Sequence, residues 1–155
     1  MKKIFVLFAM VIITINCFGQ LQKINAGFIF IPQVDVASGD FTKMKPEYAL
    51  LSNINLITKK TYHNFCYAWG ANALIVVNGW VYDSSGKQDI YLVLTKNFST
   101  SGGNVLIAWE YELTSGPIPS YLAIEVGTSW EKWDKPIVNL SLTIPFDVSI
   151  WKKKW

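Results

Sequence analysis

The chain has 155 residues, which is enough for one domain, and 51% of them are hydrophobic, 15% aromatic and only 16% charged. A soluble domain usually carries about 25% charged residues, so this chain is short of the side chains that normally cover a water-facing surface. All 14 basic residues are lysines. The absence of arginine counts against a nucleic-acid partner, because base readout and phosphate clamping depend on the guanidinium group.

Residues 1–19 form a predicted signal peptide. A lysine pair opens it, an apolar run follows from Ile4 to Ile15, and Cys17 and Gly19 place small residues before a cut ahead of Gln20. The apolar run is shorter than the roughly 20 residues of a membrane-spanning helix, which favours cleavage over an uncleaved anchor. Lipidation of Cys17 is a further alternative, but the asparagine before it fits lipoprotein signals poorly.

The mature chain, residues 20–155, is predicted to be a single domain. It keeps 12 lysines and 11 acids, a net charge of +1, so most of the net charge of +3 on the full chain belongs to the signal peptide. Cys66 is its one remaining cysteine, and no intramolecular disulfide can form.

Short alternating segments separated by turns predict strands along the whole mature chain. Pro32 indicates an edge, a bulge or a strand end, because proline cannot donate a ladder hydrogen bond. A turn at Gly70-Ala71-Asn72 splits the long segment 61–83 and gives eight strands; one bulged strand ending at Asn78-Gly79 would give seven. We favour the split. The predicted strands are 24–36, 48–58, 62–69, 73–82, 89–98, the two arms of the hairpin 103–132 around the turn TSGPIPS, and 137–146.

The hairpin 103–132 has two unlike faces, because successive side chains of a strand point to opposite sides. One face is apolar and carries Val105, Ile107, Trp109, Tyr111, Leu113, Leu122, Ile124, Val126, Thr128 and Trp130. The other is small and polar and carries Asn104, Leu106, Ala108, Glu110, Glu112, Thr114, Tyr121, Ala123, Glu125, Gly127 and Ser129.

Either a protein core or lipid must cover the apolar face of the hairpin. In a soluble sandwich or calycin-like barrel, the second face would meet water with only a few acids, which makes a poor solvated surface. In a membrane barrel the apolar residues face lipid, and the small and polar residues fill a narrow interior. We therefore predict an all-β fold, an antiparallel up-and-down barrel of eight strands.

Tryptophans near the predicted segment ends match the aromatic girdles of membrane barrels. The candidates for the membrane interface are Trp109, Trp130, Trp133, Trp151 and Trp155, with Trp80 in a similar place.

The export signal, the alternating strands, the turns and the terminal aromatic residue together resemble small outer-membrane β-barrel proteins of Gram-negative bacteria. The lysine pair, apolar core and Gly-Gln ending resemble signal peptides of Bacteroidota. The resemblance implies residence in the outer membrane, contact with lipid and the barrel-assembly machinery, and a structural, adhesive, narrow-pore or binding role. It also implies an aromatic end to the last strand, for which Trp155 and Phe146 are candidates. The alternative is a periplasmic or secreted module that binds a small apolar ligand or a glycan.

Glu110, Glu112 and Glu125 are the polar residues most open to a chemical role. If the turn centres between Gly116 and Pro117, Glu125 faces Ala108 and lies diagonal to Glu110. We predict that these acids line the barrel lumen, where acids with few lysines would recruit cations.

His63 and Cys66 look at first like a base and a nucleophile. They are three residues apart, so on one regular strand they point to opposite faces. No catalytic, cofactor or metal site is predicted, and no enzymatic activity.

Overall fold

The computed structural model describes residues 21–37, 44, 46–81, 86–100, 102–131 and 135–153. The predicted signal peptide with its cut before Gln20, the lipidation candidate Cys17, and the candidates Trp133 and Trp155 lie outside these ranges. Within the described ranges there is no helix long and apolar enough to cross a membrane.

Eight antiparallel strands close into one barrel, in which each strand pairs with the next and the last pairs with the first. The predicted fold, an up-and-down barrel of eight strands, is confirmed. The strands are β1 (Lys23–Asp35), β2 (Pro46–Ile57), β3 (Thr61–Trp69), β4 (Ala73–Val81), β5 (Gln88–Asn97), β6 (Gly103–Thr114), β7 (Ser120–Ser129) and β8 (Pro136–Lys152).

The turn between β3 and β4 falls where the sequence predicts it. Gly70 and Asn72 adopt positive φ angles of 86° and 49°, in the region that glycine and asparagine tolerate best. Ala68 then pairs with Ala73 across the turn. Seven strands with a turn at Asn78-Gly79 are therefore excluded, because both residues lie inside β4.

The last strand continues beyond its predicted end at Phe146. β8 reaches Lys152, because β1 supplies pairing partners as far as Lys23, which lies opposite Lys152. A bulge in this ladder near Ile24 accommodates the extra residue of β8. Asp147 and Ser149 favour turns, but they do not stop the strand, so the predicted end at Phe146 is wrong.

Pro32 lies inside β1 rather than at an edge or a strand end, and it marks no bulge, because the register between β1 and β8 is the same on both sides of it. It pairs with Tyr48 of β2, but the ladder between β1 and β8 omits Ile31 and Pro32 and resumes at Gln33. The missing N–H of proline explains this gap, since Pro32 cannot donate to β8.

The strands are strongly tilted. A circuit through paired residues that begins at Ile24 returns to β1 at Val36, whose N–H donates to the carbonyl of Val138 at 2.7 Å. The circuit therefore climbs twelve residues along β1. A larger stagger tilts the strands further and widens a barrel of fixed strand number, which leaves space inside.

Buried apolar side chains line the interior in two groups. One group consists of Ile29, Leu51, Cys66, Ala68 and Ala73, and a second of Tyr91, Val93, Leu106, Ala108 and Ala123. Ile75 packs against both groups and links them. Many of these residues are small, so the interior is only partly filled.

The seam between β1 and β8 depends on a close backbone approach at Gly27. A Cβ there would collide with the carbonyl of Phe146 and lie 2.8 Å from the Cα of Asp147. The two strands can therefore hydrogen-bond at this level only if residue 27 has no side chain.

We predict that Gly27→Val lowers the free energy of unfolding by roughly 1–3 kcal/mol, the usual cost of forcing extra atoms into a packed site. Urea unfolding of the folded protein, followed by tryptophan fluorescence, measures the effect. Gly116→Ala is the control, because nothing lies within 4 Å of the added Cβ. Equal unfolding midpoints for the two variants would contradict the proposed seam geometry.

Candidate functional site

The barrel encloses a cavity of about 870 Å³ to which all eight strands contribute. We call the end of the barrel that holds the start of β1 and the end of β8 the terminal end. Pro117 and Pro119 line the cavity at the terminal end, and Ala71, Thr100 and Gly102 line it at the opposite end. Its volume lies within the range of small-molecule sites.

The carboxylates of the strands all occupy inward-facing positions. The outward-facing strand positions within the described ranges carry one lysine or acid, Lys96. The inward-facing acids are Asp35, Glu47, Asp89, Glu110, Glu112, Glu125 and Asp147.

The three predicted acids differ in their surroundings. Glu125 pairs with Ala108 in register, as predicted, and accepts hydrogen bonds from Tyr91 Oη at 3.4 Å and Asn139 Nδ2 at 3.3 Å. Glu110 is only 9% exposed, and its carboxylate makes no hydrogen bond or ion pair within the described ranges. Glu112 lies opposite Tyr121, nearer the terminal end. The barrel therefore brings these acids to one interior surface, with Glu110 the most enclosed.

Asp89 and Asp147 also line the cavity and were not among the predicted site residues. Alternation from Tyr91 would have placed Asp89 on the inward face. Asp147 lies in the part of β8 that extends beyond the predicted strand, so the sequence carried no matching signal for it. Asp147 Oδ2 accepts a hydrogen bond from Asn53 Nδ2 at 3.2 Å across the gap that Gly27 leaves.

A row of asparagines crosses β1, β2 and β3 near the terminal end. Asn25 pairs with Asn55, and Asn55 pairs with Asn64. Each of the three lines the cavity, and each has a buried Oδ1 atom without a hydrogen-bond partner. This row was not predicted, because it depends on the register between three strands.

Tyr62 lies against the wall of the barrel beside this row. Its ring occupies the space over Gly79, its pairing partner on β4, where any Cβ would collide with the ring. Glu110 and Asp89 both interact electrostatically with Tyr62. The glycine therefore keeps the ring close to the wall and the lumen open.

His63 and Cys66 point to opposite faces, as the sequence predicts. His63 lies on the outward side, is 3% exposed, and its Nδ1 is 2.7 Å from Asn78 Oδ1. Cys66 packs in the apolar layer of the interior. Within the described ranges, no group of three His, Cys, Asp or Glu residues could hold a metal ion.

The described tryptophan candidates lie in three different settings. Trp151 is outward near the end of β8, and Trp109 is outward in the middle of β6, where its Nε1 donates to Gln88 Oε1 at 3.3 Å. Trp130 follows β7 and is half-buried. Two exposed aromatics at the opposite end, Trp69 and Tyr48, were not predicted, although each lies near a strand end.

No family model, curated protein or solved structure matches the chain. A functional proposal must therefore rest on the residues of the chain itself.

We predict that the Cys66 thiol in the folded protein reacts with a bulky maleimide at least roughly a hundredfold more slowly than in urea, because the reagent reaches it only when the barrel opens. Cys66 is 1% exposed. Gly116→Cys in the same chain provides a solvent-exposed control that should label quickly. Rapid labelling of Cys66 in the native protein would place its side chain outside the interior.

Proposed function

We propose that this chain is a small outer-membrane β-barrel protein, with its apolar surface against lipid and its carboxylates in the lumen. The observation that carries the proposal is the outward face of the barrel. Large apolar side chains cover it, including Ile107 (62% exposed), Phe28 (52%) and Ile54 (51%), and Lys96 is its one lysine or acid within the described strands. Monomeric soluble proteins rarely expose a continuous apolar surface of this kind.

The closed hydrogen-bond ladder supports the same proposal. Lipid cannot hydrogen-bond to an open sheet edge, so strands cross a bilayer only as a closed barrel. The strands are 9 to 17 residues long, and a tilted strand needs about 9–11 residues to cross the hydrocarbon core. The predicted signal peptide would supply the export step.

Exposed aromatic residues lie toward both ends of the outward face. Trp80 and Trp151 lie near the terminal end, and Trp69 and Tyr48 near the opposite end. Such residues favour the boundary between hydrocarbon and headgroups, since their rings are apolar and their N–H or O–H groups remain hydrated. The two groups would mark the two bilayer surfaces.

Binding within the lumen is the role that the geometry favours. A purely structural or adhesive barrel does not need a partly polar cavity, and this cavity, of about 870 Å³, has the size of a small-molecule site. We therefore infer that the protein holds a ligand in its lumen.

Two isoleucines of similar exposure test the lipid contact. Ile107 lies on β6 and is 62% exposed, and Ile118 lies in the turn between β6 and β7 and is 53% exposed. We predict that Ile107→Lys destabilises the folded barrel in lipid by about 2–4 kcal/mol, because a lysine would enter the hydrocarbon. Ile118→Lys should have little effect. Unfolding in urea from lipid vesicles measures both variants.

Cell fractionation and gel migration complete this test. The wild-type protein should enter the outer-membrane fraction and migrate differently before and after heating. A protein that stays monomeric in water without detergent, and in which Ile107→Lys is as harmless as Ile118→Lys, would refute the membrane proposal.

A further inference from the structure

The cavity wall carries more negative than positive charge. Asp89, Glu110, Glu125 and Asp147 line it, whereas Lys23 is the one basic residue among its described lining residues. Lys23 lies at the start of β1 and interacts electrostatically with Asp147, beside it at the terminal end. The lining of the cavity therefore favours a positively charged ligand over a negatively charged one.

Glu110 is the acid that most needs such a group. Its side chain is enclosed, with 9% exposure, and its carboxylate makes no hydrogen bond or ion pair within the described ranges. An ionised carboxylate without a partner is costly in an enclosed site. A cation in the lumen would remove much of that cost.

Asn64 is an independent sign of a ligand at the same level of the barrel. It is 8% exposed, it lines the cavity, and its buried Oδ1 has no hydrogen-bond partner. Asn25 and Asn55 present the same kind of acceptor in the adjoining positions of the row. The wall thus offers several acceptors to a ligand that carries N–H groups, since a buried acceptor is normally satisfied.

The surrounding residues favour an organic cation over a metal ion. Tyr62, Tyr91 and Tyr121 line the cavity near Glu110, and aromatic faces attract ammonium groups. A metal ion would need several close ligands, whereas the described residues offer no group of three acidic, histidine or cysteine ligands. An aliphatic amine has both the positive charge and the N–H donors that these residues would bind.

We propose that the lumen near the terminal end binds a small organic amine, with Glu110 as the counter-charge and Asn64 as a hydrogen-bond acceptor. The site deepens the ligand-binding role proposed above, but it depends only on the closed barrel. It can therefore be tested on protein folded in detergent micelles, and its failure leaves the membrane assignment to be judged by fractionation and the isoleucine variants.

Isothermal titration with putrescine tests the site. The folded wild-type protein should bind one putrescine per chain, and Glu110→Gln should weaken the affinity by about tenfold or more, since a hydrogen bond to a charged group is lost. Glu47→Gln is the matched control, because Glu47 is also inward-facing but is exposed at the opposite end. It should leave the affinity unchanged.

Asn64→Asp should change the affinity for putrescine in the opposite direction. This test does not require that the Glu110→Gln variant folds. The replacement has nearly the same shape and adds a negative charge, so a cationic ligand should bind more tightly, by several-fold. Titrations with magnesium chloride and with sodium acetate separate the classes of ligand. Any one of four results would overturn the proposal. The first three are no binding of putrescine by the wild-type protein, equal affinity for it in Glu110→Gln, and no gain in affinity in Asn64→Asp. The fourth result is Glu110-dependent binding of magnesium or acetate in place of the amine.

Discussion

Closure of the sheet, where β8 pairs with β1, is the constraint on which the rest of the structure depends. Without it, β1 and β8 would each expose a row of unpaired backbone groups. The closure needs the absent side chain at Gly27, and the same ladder tolerates an interruption at Pro32 and a bulge near Ile24. The glycine and the proline lie on β1, whereas the bulge adds a residue to β8, so both strands adjust at the seam.

Once the sheet closes, each residue must face either inward or outward, and the environments on the two sides become unlike. Neighbours along β6 illustrate this: Ile107 is 62% exposed on the outside, whereas Ala108 is 2% exposed on the inside. The consistent alternation collects the strand acids in the lumen and the large apolar residues on the outer surface. The same constraint therefore produces both the apolar exterior and the charged interior.

Sequence predicted the features that depend on local order. Alternation assigned the faces of the hairpin, and the short turn placed Glu125 opposite Ala108. Features set by distant strands were not predictable. The asparagine row requires the register of three strands, and the hydrogen bond from Asn53 to Asp147 joins residues 94 positions apart in the chain. The end of β8 was missed for the same reason, because its partner lies on β1.

The charge of the lumen affects the stability of the whole barrel. An enclosed carboxylate such as Glu110 opposes folding unless a positive group or water solvates it. Glycine at position 79 moves the Tyr62 ring toward the wall and so preserves space beside that carboxylate. An apolar residue at position 110 would avoid that cost. The amine proposed above would offset it instead, since the open space beside Glu110 leaves room for a positive group.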